Sequence, residues 1–219
     1  MNENLSHLES LKDIKSIMER SSRFITLSGK SGIAAGFIGL ASAFIAYQII
    51  GKYYVNYNNK GFWTITDFKA LERQLFLLAT ITVVLAFSFG FYFTWQKAKI
   101  DNTNIWNASS KRLLVNLCIP LIAGGIFIIG MLANNEWQFI GPACLIFYGL
   151  ALINGSKYTY DDIRYLGFLE ILLGSINLFY IGFGLYFWAV GFGVLHIIYG
   201  IIMWNKYDRK SMKQVANNE

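Results

Sequence analysis

Six apolar runs separated by polar connections dominate the chain, at about 31–51, 74–95, 113–132, 139–154, 164–180 and 185–204. Most are close to the roughly 20 residues that a helix needs to cross a hydrocarbon core of about 30 Å. A bilayer interior gives the backbone no external hydrogen-bond partners, so each run is predicted to be an α-helix. The predicted fold class is all-α: a polytopic membrane protein with six transmembrane helices. Ahead of them, Leu5, Leu8, Leu11, Ile14, Ile17, Met18 and Phe24 recur at spacings near three and four among charged residues. That pattern predicts an amphipathic helix over 3–27. It reads either as an arm for a cytoplasmic protein partner or self-association, or more simply as a helix lying in the headgroup layer or against the base of the bundle. The chain thus divides into a cytoplasmic amphipathic helix (1–30), a six-helix transmembrane domain (31–204) and a basic cytoplasmic tail (205–219).

Local details refine the spans. Gly32, Gly36, Gly39 and Ala43 form a small-residue face on the first, which lets another backbone approach closely, within the bundle or in a dimer. The connection 52–73 is polar and aromatic, and a short helix is expected at 66–73. Pro120 predicts a kink in the third span, with Asn116 placed to serve the carbonyl that the proline leaves free.

Composition agrees with the bilayer as solvent: apolar residues make up 55% and charged residues only 15%, well below a soluble domain. With the N-terminus inside, fifteen of the nineteen Lys and Arg fall in the tails and inner connections. The other four lie between the first two spans. This asymmetry predicts cytoplasmic termini. The net charge of +6 is dispersed over loops and tails, so no nucleic-acid partner is expected. Cys118 and Cys144 lie inside apolar runs and suggest neither a disulfide nor a zinc site. The polar stretch that opens the chain lacks a signal-peptide core, so the first span is expected to stay in the mature protein.

Candidate chemistry concentrates in the last two spans. Gly167, Glu170, Gly174 and Asn177 share one helical face on the fifth, as Gly193, His196 and Gly200 do on the sixth. Treated as an antiparallel hairpin, the two helices would pair Gly174 with Gly193, Gly167 with Gly200 and Glu170 with His196. An ionisable residue inside a membrane is a functional hypothesis by default. The sharp reading is a ligand or proton-linked transport site. The plain one is a buried polar clip completed by Asn177 and nearby hydroxyls. Asp161 and Asp162, which could hold a cation, read instead as a helix start after Thr159. Gly29, Lys30 and Ser31 lack the glycine and strand that a phosphate loop requires. No catalytic constellation, metal set or cofactor motif is recognisable, and no enzyme activity is expected.

The run Ile163-Arg164-Tyr165-Leu166-Gly167 with Glu170 and Gly174, then Phe187-Trp188 and Gly191 through Gly200, resembles a family of bacterial six-span integral membrane proteins with no assigned activity. Ser21-Ser22-Arg23-Phe24 resembles the same family. The resemblance implies six spans in a bacterial inner membrane and no particular mechanism. Together these readings predict a non-enzymatic binding, sensory or assembly module whose constant partner is the lipid bilayer. The alternative is a small proton-linked transporter or channel with Glu170 and His196 at its site.

Overall fold

A computed structural model of the protein describes residues 23–24, 26–62, 64–101 and 103–209. Six long helical segments account for most of it: α1 (Gly29–Lys60), α2 (Ile65–Ile100), α3 (Ala108–Ala133), α4 (Ile140–Gly155, extended by single 3₁₀ turns at each end), α5 (Ile163–Phe179) and α6 (Gly184–Asp208). Five are long and apolar enough to cross a membrane, counting α4 with its flanking turns as Trp137–Tyr158. The remaining one, α5, has 17 residues. Its length is about 25 Å, at roughly 1.5 Å per residue.

The helices outrun the apolar pattern at one end of the bundle. α1 has 32 residues. α2 has 36 residues. Their lengths are therefore about 48 Å and about 54 Å. The predicted short helix at 66–73 is the first two turns of α2, and the long loop shrinks to the turn after Lys60. Local chemistry explains the extension. Gly61 closes α1 in the left-handed conformation at φ 77°, a common helix ending for glycine. Thr64 with Asp67 forms a capping box that starts α2. The predicted helix over 3–27 lies mostly outside the described residues. At its described end the chain is not helical: Phe24 is buried, its N–H donates to the Tyr158 carbonyl at 2.7 Å, and its own carbonyl accepts from Thr159 Oγ1 at 2.7 Å.

Close-packed small residues decide which helices meet. In lipid, apolar side chains gain little by leaving the solvent, so association relies on van der Waals contact and on polar bonds between helices. α1 runs antiparallel to α6: Gly32 lies against Gly200, Gly36 against Ile197 and the Gly193 carbonyl, and Gly39 against Phe192. α4 runs antiparallel to α5, where Gly149 faces the Gly167 backbone and Gly174 faces Pro142 and Ile146. α2 packs on the far side of α1, and α3 on α4. The expected glycine pairing of α5 with α6 is thus incorrect. Gly167 and Gly174 serve α4, whereas Gly193 and Gly200 serve α1. The stripe of α5 matches the helix before it rather than the helix after it, and the stripe of α6 matches α1 at the other end of the chain.

α4 is the most enclosed helix, with 44% of its apolar window buried against 6% for α2. Leu145 and Ala151 are completely covered, and Leu152 packs with Ile163 and Leu166. α2 stands at the edge and presents Phe76, Phe87 and Phe91 outward, as a lipid-facing helix does.

Pro120 leaves the Asn116 carbonyl without its intrahelical donor. The side chain that serves it is not that of Asn116, which donates to the Arg112 carbonyl at 2.8 Å. Asn154 on α4 reaches across and donates to the Asn116 carbonyl at 2.9 Å. The proline therefore creates an interhelical bond. Asn154→Leu is expected to lower stability by about 1–2 kcal/mol, read by thermal unfolding in detergent. Asn116→Leu, which removes only a bond within its own turn, is expected to cost less. An equal cost for both would refute the assignment.

Candidate functional site

Glu170, His196 and Tyr148 meet where α5, α6 and α4 converge. The Glu170 side chain is fully buried, and Oε1 lies 3.5 Å from His196 Nδ1. That is an ion-pair distance but too long for a hydrogen bond of normal strength. The bonds of the imidazole go elsewhere. Nδ1 lies 2.9 Å from the Gly191 carbonyl and Nε2 lies 2.8 Å from the Tyr148 hydroxyl. A carbonyl only accepts, so Nδ1 carries a proton, and in the neutral ring Nε2 accepts from Tyr148. Phe192 and Tyr148 flank the ring, with centroids at 5.9 and 5.4 Å.

The backbone of α6 is shaped around this group. Over Ala189–Leu195 it widens into a π-helix, a form that occurs mostly as short insertions and often at functional sites. Gly191 sits in that segment, and a Cβ there would stand 2.6 Å from Glu170 Oε2. Glycine is what admits the carboxylate. Both carboxylate oxygens are buried and without a hydrogen-bond partner among the described residues.

Asn177 does not join the group. It is buried two turns further along α5, where Nδ2 donates to the Tyr180 carbonyl at 3.1 Å and Oδ1 faces Gly141. Its role is to close the end of α5. Gly167, Gly174, Gly193 and Gly200 shape the surroundings through the α4–α5 and α1–α6 contacts, and Gly32, Gly36 and Gly39 do so from α1.

A second polar centre forms at the end of the bundle where the chain enters and leaves it. Asp208, near the end of α6, accepts from Lys97 Nζ at 2.7 Å through Oδ1, and from Ser28 Oγ at 2.9 Å and the Gly29 N–H at 3.0 Å through Oδ2. Lys97 also donates to the Leu27 carbonyl at 3.0 Å and the Tyr160 hydroxyl at 3.2 Å. All three ammonium protons are thereby used. The carboxylate sits at the positive N-terminus of α1, where a negative charge is favoured. Tyr160 stacks on Tyr207, centroids 3.9 Å apart. Burial first, then the Asp208 and Asp101 charges, push the Tyr160 hydroxyl above its ordinary pKa.

The adjacent acids are neither a cation site nor side-chain caps. Asp161 pairs with Arg23 at 2.7 Å, and Asp162 takes Lys206 at 2.7 Å and the Tyr207 hydroxyl at 2.5 Å. Asp162 stands at the N-cap of α5, but its carboxylate is engaged away from the helix. Burial works to raise the Asp162 pKa, yet the hydrogen bonds from Lys206 and Tyr207 and the Lys206 charge together hold it below the ordinary value.

The chain matches no family model, no curated protein and no solved structure. The chemistry therefore rests on the geometry above. Sequence patterning overlooks Tyr148, Lys97 and Asp208. A signal for the last exists: Asp208 is the sole acid between Glu170 and the terminal Glu219, set in a basic tail. Tyr148 carries none, being one of many tyrosines in apolar runs.

Proposed function

We propose that the protein is a non-enzymatic module of the bacterial inner membrane, with both termini cytoplasmic, which binds, senses or assembles with a partner through its terminal segments. In this reading the Tyr148–His196 hydrogen bond clips α4 to α6 with Glu170 of α5 enclosed beside it, and the Asp208 centre fastens the segments that enter and leave the bundle to one another. The observation that carries it is the enclosure of the polar group. Glu170 has no exposed surface and His196 only 6%, while the two clefts described lie along residues 48–74 of α1 and α2. A substrate path would need polar space at Glu170.

A proton-linked transporter is the second reading, favoured by the Glu170 carboxylate that accepts no hydrogen bond among the described residues. Two variants separate the readings. His196→Ala removes the partner of Tyr148 and leaves a buried hydroxyl unsatisfied, with an expected loss of about 1–3 kcal/mol. Glu170→Gln keeps the shape and removes no hydrogen bond, so its expected effect on melting is smaller. Both proteins, reconstituted in vesicles under a pH gradient, are expected to pass protons no faster than empty vesicles, as is the wild type. A wild-type proton flux abolished by Glu170→Gln in a folded protein would replace the clip with the transporter.

A further inference from the structure

The segment joining the first two spans carries Lys52, Lys60, Lys69 and Arg73 against two acids, Asp67 and Glu72. Its helical extension holds these charges in register at the end of the bundle opposite the Asp208 centre. Between the last turns of α1 and the first turns of α2 lies a cleft of about 470 Å³. Ile49, Ala70 and Leu71 contribute to its apolar lining, and Lys52, Lys60 and the Asp67 carboxylate contribute to the polar side. A smaller concavity of about 420 Å³ also borders Lys52 and Asn56. The edge-on contact of Phe68 with Trp137, centroids 5.5 Å apart, sets the start of α2 level with the start of the fourth span. A tryptophan at the end of an apolar span rests at headgroup level in a bilayer, which is the level this contact gives the start of α2.

The charges of the cleft are unequally committed. The Asp67 carboxylate takes the Thr64 N–H at 3.3 Å and the Thr64 hydroxyl at 2.6 Å, and shares Lys60 at 3.5 Å. Lys52 has no ion-pair partner among the described residues. The result is a site with an apolar wall and an uncompensated cation. A free anion would use only the polar side, while an amphiphile with a phosphate would use both.

We propose that this cleft binds an anionic phospholipid, of the outer leaflet when the termini are cytoplasmic, with the phosphate on Lys52 and Lys60 and the first acyl carbons against Ile49, Ala70 and Leu71. Phosphate on a soluble molecule shares the headgroup chemistry but leaves the wall uncovered. A zwitterionic lipid shares both but sets its ammonium against the lysines.

Native mass spectrometry of the full protein in mild detergent, with phosphatidylglycerol, phosphatidylcholine or glycerol phosphate added, tests this directly. Phosphatidylglycerol is expected to stay bound under activation that strips phosphatidylcholine. K52Q/K60Q is expected to weaken its retention roughly tenfold, as loss of charged hydrogen bonds implies. K52R/K60R is expected to retain it, and K111Q, at the other end of the bundle, to leave it unchanged. Both cleft lysines are exposed, so the variants are expected to melt with the wild type. Equal retention of the two lipids, or wild-type retention by K52Q/K60Q, overturns the proposal. Displacement of phosphatidylglycerol by an equal concentration of glycerol phosphate also overturns it, in favour of a soluble phosphate.

Discussion

Asp208→Ala is expected to destabilise the folded protein by about 3–5 kcal/mol, the usual cost of removing one partner from a buried ion pair. Lys97 and Asp208 are 9% and 8% exposed, so the ammonium left behind has little access to water. The same substitution strips the start of α1 of the acceptor for Ser28 Oγ and the Gly29 N–H, and the first N–H groups of a helix have no partner within it. Three segments far apart in sequence would loosen together: the chain entering α1, the end of α2 and the end of α6. The double variant Lys97→Met with Asp208→Leu is expected to recover only the part of the loss that comes from the stranded ammonium, because an apolar pair carries no charge to desolvate while Ser28 Oγ and the Gly29 N–H still lack the acceptor they had in Asp208. Thermal or denaturant unfolding in a fixed detergent measures both. A cost below about 1 kcal/mol for Asp208→Ala would mean that water reaches the pair and that it behaves as a surface bridge.

Gly36→Leu is expected to cost at least about 3 kcal/mol, at the upper end for overpacking. A Cβ at Gly36 would stand 2.7 Å from the Gly193 carbonyl and 2.8 Å from the Ile197 nitrogen, and backbone cannot rotate aside. α1 and α6 would have to separate along a seam that also runs through Gly32 and Gly39. The separation would drag the π-helical segment away from Glu170. Gly125 offers the control, because nothing stands within 4 Å of a Cβ built there. Gly125→Ala is expected to be neutral or to stabilise α3 by up to about 1 kcal/mol. Comparing the two melting temperatures checks the seam, and similar values for both variants would disprove it.

Much of the site is legible in the residues. The face Gly167, Glu170, Gly174 and Asn177 is the buried face of α5, and Glu170 lies beside His196. The expected route to that proximity is incorrect. Pairing α5 and α6 through facing glycines presumes that the last short turn makes them partners, whereas the glycines of α5 face α4 and those of α6 face α1. Glu170 reaches His196 across Gly191, a residue outside the glycine register. Helical spacing groups Asn177 with Glu170, but it fixes direction and not their separation along the axis.

The Asp208 centre lies further from reach. Lys97 and Asp208 are 111 residues apart, and neither stands in a motif. Each reads as a solvated end residue, and only the meeting of three helix ends makes them partners. The Asn154 bond is similar: Pro120 announces an orphan carbonyl, but its donor sits on another helix.

What the sequence alone determines is the all-helical class and the apolar, membrane-compatible character of the helices, because a long apolar run that must satisfy its own backbone has few options but a helix. It also sets which face of α5 turns inward, since polar and small residues cannot face hydrocarbon cheaply. Which helices adjoin is decided only in three dimensions. In lipid every helix is apolar outside, so patterning does not choose a neighbour; close backbone contact and a few interhelical hydrogen bonds do, and both are properties of pairs of segments.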